Sequence, residues 1–169
     1  MRGYDETIAI SASTHGPNNN PTIVIVHGAF HCPAHFINVA SRLCTAGHDV
    51  VLPKLPSVGM SSDPGDALHL DAAAVRDVLL DLVVKQSKEV VLVMHSYGGL
   101  AGTEGYAMFC EDARPISGKV IRLVYLAAHG AVEKGTVFLP AGVQLPHLQY
   151  DVCNPRVLVC PRTPPLTLP

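Results

Sequence analysis

A serine followed by tyrosine and two glycines ends an apolar stretch near the middle of the chain. In VLVMHSYGGL, residues 91–100, Ser96 comes directly after a run typical of a buried strand, and Gly98 and Gly99 follow it. A hydroxyl on a sharp strand-to-helix turn stands clear of the backbone, where it can attack an electrophilic carbon. The pattern G-x-S-x-G describes such a turn, and here Met94 replaces its first glycine. The pattern predicts a nucleophile at Ser96, on a turn that has to make room for Met94.

A second turn motif, VHGAF at residues 26–30, carries the groups that this chemistry also needs. Attack on a carbonyl creates an oxyanion, and losing one of the two N–H groups that hold it typically costs roughly 2.7–4 kcal/mol. One donor is predicted at Tyr97, at the start of the following helix, and the other at Ala29, beside the flexible Gly28. His27 is then predicted to be structural, with its ring bonded to nearby loop backbone.

Strands and helices alternate around these motifs. Apolar, β-branched composition predicts strands at 22–27, 49–53, 89–94 and 119–128, with a short edge strand at 7–11. Helical spacing of apolar residues predicts helices at 34–46, 69–86 and 98–110. The order β-α-β-α-β-α-β is typical of an α/β fold, a mostly parallel sheet with helices on both faces.

Two of the predicted helices carry clear apolar stripes. The first helix is followed by Gly47 as a C-cap, and its stripe consists of Phe36, Val39, Ala40 and Leu43. The second helix is predicted to bury a stripe made of Val75, Val78, Leu79, Leu82 and Val83.

The two motifs, in this order and with these elements between them, resemble the α/β-hydrolase superfamily. The closest likeness is to its small esterase branch, which includes plant methylesterases, hydroxynitrile lyases and their fungal and bacterial relatives. The likeness covers roughly residues 20–140, through IVIVHGAF, VVLVMHSYGGLAG and IRLVYLAAHGAVEKG. It implies an α/β-hydrolase fold and hydrolysis of a small carboxylic ester without a cofactor.

The resemblance also implies roles for five residues. Ser96 matches the nucleophile, and Ala29 and Tyr97 match the backbone donors of the oxyanion hole. Phe30 and His31 fall where such enzymes line the acyl pocket, and so are expected to contact substrate.

The family's catalytic acid and histidine follow the serine in the chain, and no residue here matches them by position. Asp112 falls on the helix after the turn, His129 ends the fourth strand, and Asp151 has no histidine after it. His147 and the acids Glu111 and Glu133 do not match either. We therefore expect a truncated or mis-spliced hydrolase.

The expected organisation is a single domain over 1–169. Residues of about 20–130 form its core, and 131–169 form the start of a cap or an irregular tail rich in proline, with RVLV at 156–159 as a stray strand.

Three functions remain open at this level. The first is an esterase in which a neighbouring histidine or a partner chain acts as the base. The second is a non-catalytic homologue, either a module that binds a ligand or partner through an exposed sheet edge or a fragment. An incomplete sheet would expose an apolar edge and face, so oligomerisation through that edge is expected. The third is a lyase on the same fold.

Histidines cluster around the first turn motif, which raises the question of a metal. His27, His31, Cys32 and His35 lie within nine residues, but the glycine and proline between them interrupt any helix that would present them together. We predict no metal site. His95 is expected to pack and hydrogen-bond behind the turn, because adjacent side chains on a strand point to opposite faces.

Composition limits the classes of partner and the cellular compartment that we expect for this protein. A net charge of −2 provides no basic surface for nucleic acid, and five cysteines without CxxC spacing argue against a disulfide framework. No apolar segment has the form of a signal peptide or the length of a membrane span. The expectation is a cytoplasmic protein whose partner is a small-molecule ester, with neither nucleic acid nor membrane as partner.

Overall fold

The computed structural model describes residues 6–12, 18–59, 66–112, 117–128, 148–149 and 158–159. Predictions about Glu133, His129, His147 and Asp151, and most of those about the region 131–169, lie outside these residues.

Five strands form the main sheet, and four of them are parallel. They are β1 (Ile8–Ile10), β2 (Thr22–Val26), β3 (Val50–Leu52), β4 (Glu89–His95) and β5 (Lys119–Leu126). Their order across the sheet is β1-β3-β2-β4-β5, and only β1 runs antiparallel to its neighbour. The predicted α/β fold with a mostly parallel sheet is confirmed.

Helices connect the parallel strands, as such connections require. They are α1 (Ile37–Thr45), preceded by a 3₁₀ turn at Pro33–Phe36, α2 (Ala67–Leu79), continued by a π-helical turn at Leu80–Lys85, and α3 (Gly98–Asp112). The predicted C-cap of the first helix is confirmed, because Gly47 has a φ of +92° and donates its N–H to the Cys44 carbonyl at 3.0 Å.

The sheet has a hydrophobic core on each face, so helices cover both faces as predicted. Alternation along β2 divides its side chains, with Ile23 and Ile25 packed in the cluster that contains Ala40 of α1. Val24 and Val26 point the other way, into the cluster formed with α2 and α3. The site is therefore carried by a sheet that is supported from both sides.

The structure buries the apolar stripe predicted for α2 but exposes one residue of the stripe predicted for α1. The α2 stripe is confirmed as core, with Val75 and Leu79 fully buried. Val39 is wrong as a member of the α1 stripe, because its side chain is 50% exposed. Ala40 is the residue that α1 buries against the sheet. Val39 precedes it and so lies about 100° around the helix, toward solvent.

Two further strands lie in the predicted tail. Two short antiparallel strands, β6 (Leu148–Gln149) and β7 (Leu158–Val159), form a second sheet, and β7 lies within the predicted stray strand.

Among the described strands, β5 lies at the end of the main sheet and exposes Ile121 and Leu126. Oligomerisation through this edge stays a prediction. None of the described helices is both long and apolar enough to cross a membrane.

Candidate active site

The turn between β4 and α3 has the strained geometry of a nucleophile turn. Ser96 lies there with a φ of +52°, a left-handed conformation that costs a residue other than glycine about 1–3 kcal/mol. Gly98 allows α3 to begin directly against β2, because a Cβ on Gly98 would lie 2.5 Å from the Val26 carbonyl oxygen. The strand-turn-helix context predicted for Ser96 is therefore present.

Room for Met94 comes from α3. Met94 is fully buried, and a Cβ on Gly102 would lie 2.6 Å from both its Cγ and its Sδ. The glycine that G-x-S-x-G places before the serine is thus replaced by a glycine on the helix that crosses the strand. This exchange supplies the room that the predicted turn has to make for Met94.

The turn after β2 lies against the serine. A Cβ built on Gly28 would lie 2.9 Å from Ser96 Cβ and 3.1 Å from His95 Nδ1. Ala29, the predicted oxyanion donor, is the next residue in that turn. Neither the Ala29 N–H nor the Tyr97 N–H donates a hydrogen bond to any described residue. Both predicted donors are therefore uncommitted beside the predicted nucleophile.

Three strained backbone positions lie at the carboxyl ends of neighbouring parallel strands. Phe30, Ser96 and Ala127 have φ values of +65°, +52° and +43°, and they follow the carboxyl ends of β2, β4 and β5. The Ser96 N–H donates to the Leu126 carbonyl at 3.4 Å, which links two of these strand ends. Left-handed residues other than glycine tend to cluster at active sites and ligand clamps. Ala127 and Leu126 were not identified from the sequence.

A group of rings lies beside the turn. The His31 ring is 5.5 Å from the His95 ring, and the His95 ring is 5.7 Å from that of Phe36. The predicted packing of His95 is confirmed, but its predicted hydrogen bond is not found among the described residues, where its buried Nδ1 has no partner. Burial, with a smaller contribution from His31, lowers the pKa of His95.

His31 and His27 are each held by a backbone carbonyl. His31 Nδ1 lies 2.9 Å from the Ala29 oxygen and donates to it, which leaves Nε2 as an acceptor. His27 is buried and its Nδ1 donates to the Gly28 oxygen at 2.9 Å, so its structural role is confirmed. Burial lowers the pKa of His27. In the described part of the chain, no three histidine, cysteine or acidic side chains are grouped as metal ligands.

A buried acid that sequence reasoning missed supports the turn from α2. Asp71 is fully buried, and the Tyr97 hydroxyl donates to its Oδ2 at 2.9 Å. Burial and the Asp71 carboxylate together raise the pKa of Tyr97 well above its usual range. The signal was available, since Asp71 lies one helical turn before Val75 on the α2 stripe, where an acid would be buried.

The described residues hold no hydrogen-bonded or ion-paired histidine and carboxylate side chains. Asp112, at the end of α3, lies 3.7 Å from Arg76 and is half exposed. The structure therefore leaves it away from Ser96, as its position in the sequence indicated. His31 and Phe30, the predicted acyl-pocket residues, lie in or next to the turn that contacts Ser96.

Sequence comparison finds a family model and relatives that match the chain. Residues 23–167 match the model of the alpha/beta hydrolase family. The chain is 34% identical over 159 residues to the alpha/beta hydrolase nvfD of Aspergillus novofumigatus, an alignment that covers 81% of this chain and 63% of that protein. It is 36% identical over 106 residues to the carbendazim hydrolyzing esterase of a Nocardioides species, covering 62% of this chain and 40% of that protein. The chain thus spans less than two thirds of the length of either relative.

Solved structures show the same fold. The mature form of the lipase BlEst2 from Bacillus licheniformis superposes with a TM-score of 0.56 at 18% identity, covering 75% of this chain and 48% of the lipase. Its propeptide form superposes with a TM-score of 0.55 at 20% identity, covering 75% of this chain and 26% of the lipase.

Proposed function

The chain belongs to the alpha/beta hydrolase family, and from that premise we propose that it hydrolyses a small carboxylic ester through Ser96. The observation that carries the proposal is the contact between the two turns. Ser96 has a left-handed backbone at the carboxyl end of β4, and Gly28 lies against its Cβ. This contact sets the serine beside both uncommitted N–H groups, those of Ala29 and Tyr97.

The proposed reaction proceeds by acyl transfer. Ser96 Oγ forms a bond to the ester carbonyl carbon while its proton passes to a base, and the Ala29 and Tyr97 N–H groups donate to the resulting oxyanion. The carbon–oxygen bond to the alcohol then breaks, and the alcohol leaves with a proton. Water hydrolyses the acyl-enzyme and releases the acid. We assign the base to His31, whose ring lies 5.5 Å from that of His95, the residue before Ser96. The Ala29 carbonyl accepts from its Nδ1–H, which leaves Nε2 to accept the proton.

The surroundings of the turn favour a neutral, apolar ester. Phe30 and Leu126 expose 44% and 53% of their surface at the two strand ends that flank Ser96. The segments 26–31 and 94–100 contain no acidic side chain, lysine or arginine. Apolar walls with a few polar groups are typical of small-molecule sites, and this supports a small, neutral ester as the substrate.

A fluorophosphonate probe tests the nucleophile directly, because it reacts with an activated serine. We expect mass spectrometry to locate the label on Ser96, and Gly28→Ala to slow labelling by about 10²-fold through displacement of an oxyanion donor. Ser96→Ala is the negative control. Ser41→Ala, at an exposed position of α1, controls for serine loss as such. Wild-type labelling no greater than that of Ser96→Ala would contradict the proposal.

A second candidate is a non-catalytic binding module on the same fold. The observation that favours it is that the described residues contain no hydrogen-bonded histidine–carboxylate pair to activate the serine. This module would retain the exposed apolar side chains of Phe30 and Leu126 and bind an ester without cleaving it. Its signature is saturable binding of p-nitrophenyl butyrate with no release of nitrophenol.

We place the reaction in the cytoplasm, as the cysteines indicate. The three cysteines in the described part of the chain, Cys32, Cys44 and Cys110, all carry free thiols. Free thiols persist in reducing compartments. Fractionation of the native host, with an antibody against the chain, would locate it.

A further inference from the structure

We propose that Asp71 is a positioning residue for the oxyanion donor at Tyr97, acting through the bond between its carboxylate and the Tyr97 hydroxyl. This inference rests on the proposed function and deepens it. The Tyr97 backbone lies in the turn and its hydroxyl bonds to Asp71 of α2, so the side chain connects the backbone of the site to that helix.

A carboxylate buried like that of Asp71 needs hydrogen-bond donors to replace the water it has lost. The Asp71 carboxylate is fully buried, and among the described residues it has no cationic partner. Three hydrogen bonds compensate it: from the Ser57 N–H to Oδ1 at 2.9 Å, from Ser57 Oγ to Oδ2 at 2.6 Å and from the Tyr97 hydroxyl to Oδ2 at 2.9 Å. Leaving a buried charge short of a donor is costly, so each donor is held firmly.

The support behind Asp71 is rigid. A Cβ on Gly105 of α3 would lie 2.6 Å from the Ala72 carbonyl oxygen of α2, which means that the two helices touch at their backbones. Asp71 precedes Ala72, so the carboxylate sits on the part of α2 that is fixed against α3. Ser57 lies in the turn that follows β3, and its N–H donates to the same carboxylate. Three separate segments therefore meet at one side chain.

The Tyr97 ring transmits this support to the turn. The backbone of Tyr97 follows the strained Ser96 and opens α3, where the Leu100 N–H donates to the Tyr97 carbonyl at 2.9 Å. With its hydroxyl bonded to Asp71, the ring is anchored at both ends, and the peptide plane that carries the Tyr97 N–H has little freedom to rotate. Because burial raises the pKa of Tyr97, the hydroxyl remains protonated and continues to donate.

The expected consequence concerns the transition state. An oxyanion donor acts on charge that develops only during the reaction, so poor positioning lowers kcat and leaves KM nearly unchanged. A purely structural role for Asp71 would instead lower the folded fraction without changing the kinetics of the folded molecules.

The closing experiment removes the hydroxyl while keeping the ring. With p-nitrophenyl acetate as substrate, and with the folded fraction measured by circular dichroism, we expect Tyr97→Phe and Asp71→Ala each to lower kcat per folded molecule by about 10-fold. KM should stay within about 2-fold, and the double variant should be no worse than Asp71→Ala. Tyr125→Phe is the matched control, since it removes another tyrosine hydroxyl, bonded at 2.8 Å to Thr103 Oγ1. Tyr97→Phe with kcat within 2-fold of wild type overturns the inference.

A second readout is independent of catalysis. Hydrogen exchange of the peptide 96–100 reports opening of the turn, because the Gly99 and Leu100 amides donate to the Ser96 and Tyr97 carbonyls. Exchange should be faster in Tyr97→Phe and unchanged in Tyr125→Phe. If the wild type has no esterase activity, the proposed function fails while this measurement still decides on Asp71: equal exchange in wild type and Tyr97→Phe overturns the inference.

Discussion

At the scale of single residues, the site is marked by where the chain accepts unfavourable backbone conformations. Three of the four described residues other than glycine that have positive φ are Phe30, Ser96 and Ala127, at adjacent strand ends. Each conformation costs about 1–3 kcal/mol and persists only because packing on both faces of the sheet holds it. The strain projects the Ser96 side chain from the turn and leaves the neighbouring amides unpaired.

This strain predicts a gain in stability when the nucleophile is replaced by glycine. Ser96→Gly should unfold with a free energy about 0.5–1 kcal/mol higher than Ser96→Ala, because glycine adopts a φ of +52° without steric cost. Urea denaturation measures the difference. At the helical position Ser41 the order should reverse, with alanine more stable than glycine by about 1 kcal/mol. Equal stability of the two Ser96 variants would contradict the assignment of strain.

At the scale of elements, α3 and β4 fit together through an exchange of small and large residues. Met94 fills the space between strand and helix that the glycine of G-x-S-x-G would leave open, and Gly102 provides that space from the helix. Gly98 lets the same helix begin against the end of β2. The path of α3 away from Ser96 therefore depends on two glycines placed one helical turn apart.

The pairing of Met94 with Gly102 predicts a coupling between substitutions. Gly102→Ala alone should destabilise the fold by about 1–3 kcal/mol through overpacking, and Met94→Ala alone by about 2–5 kcal/mol through a cavity. In the double variant the new methyl enters the cavity, so the loss should be smaller than the sum by about 1 kcal/mol or more.

Gly105→Ala provides the control for this cycle, since its methyl would meet the Ala72 carbonyl oxygen rather than Met94. Its cost should add to that of Met94→Ala within about 0.5 kcal/mol. Additivity of the Gly102 and Met94 variants, measured by urea denaturation, would refute direct contact as the reason for Gly102.

At the scale of the whole molecule, the sheet's two cores surround titratable groups that face the site. His27 directly follows β2 and is buried, and His95 ends β4 against the rings of His31 and Phe36. Burial lowers the pKa of both His27 and His95. The folded molecule therefore takes up these protons less readily than the unfolded chain, in which histidine has a pKa of about 6.5.

Stability should fall as the pH drops through the unfolded histidine pKa. The contribution is fully present above a pH of about 6.5 and is lost below it, with a slope of up to about 1.4 kcal/mol per pH unit for each such histidine. Urea denaturation at several values between pH 7.5 and 5.5 measures this. His27→Asn should reduce the slope, and His69→Gln, at an exposed position of α2, should not. An unchanged slope in His27→Asn would show that the burial of His27 does not govern acid sensitivity.

The sequence by itself determined the elements and the two turn motifs. Apolar runs and helical spacing are local patterns, so β2, α1, β4 and α3 were predicted close to their observed bounds. The turn chemistry around Gly28 and Ser96 is also local, because Gly28 and the two glycines that follow Tyr97 permit sharp turns whatever surrounds them. These patterns were sufficient for the fold and for the expected nucleophile.

Only the tertiary structure decided how these pieces contact one another. Tyr97 and Asp71 are 26 positions apart and meet because α2 packs against α3, a contact that no local spacing specifies. Val39 lies on the apolar stripe of its helix yet faces solvent, because the sheet selects which side of α1 it covers. Gly102 acquires its role from a methionine on another element. Side-chain burial and hydrogen bonding between distant segments depend on the packed chain as a whole, and so they appear only once it has folded.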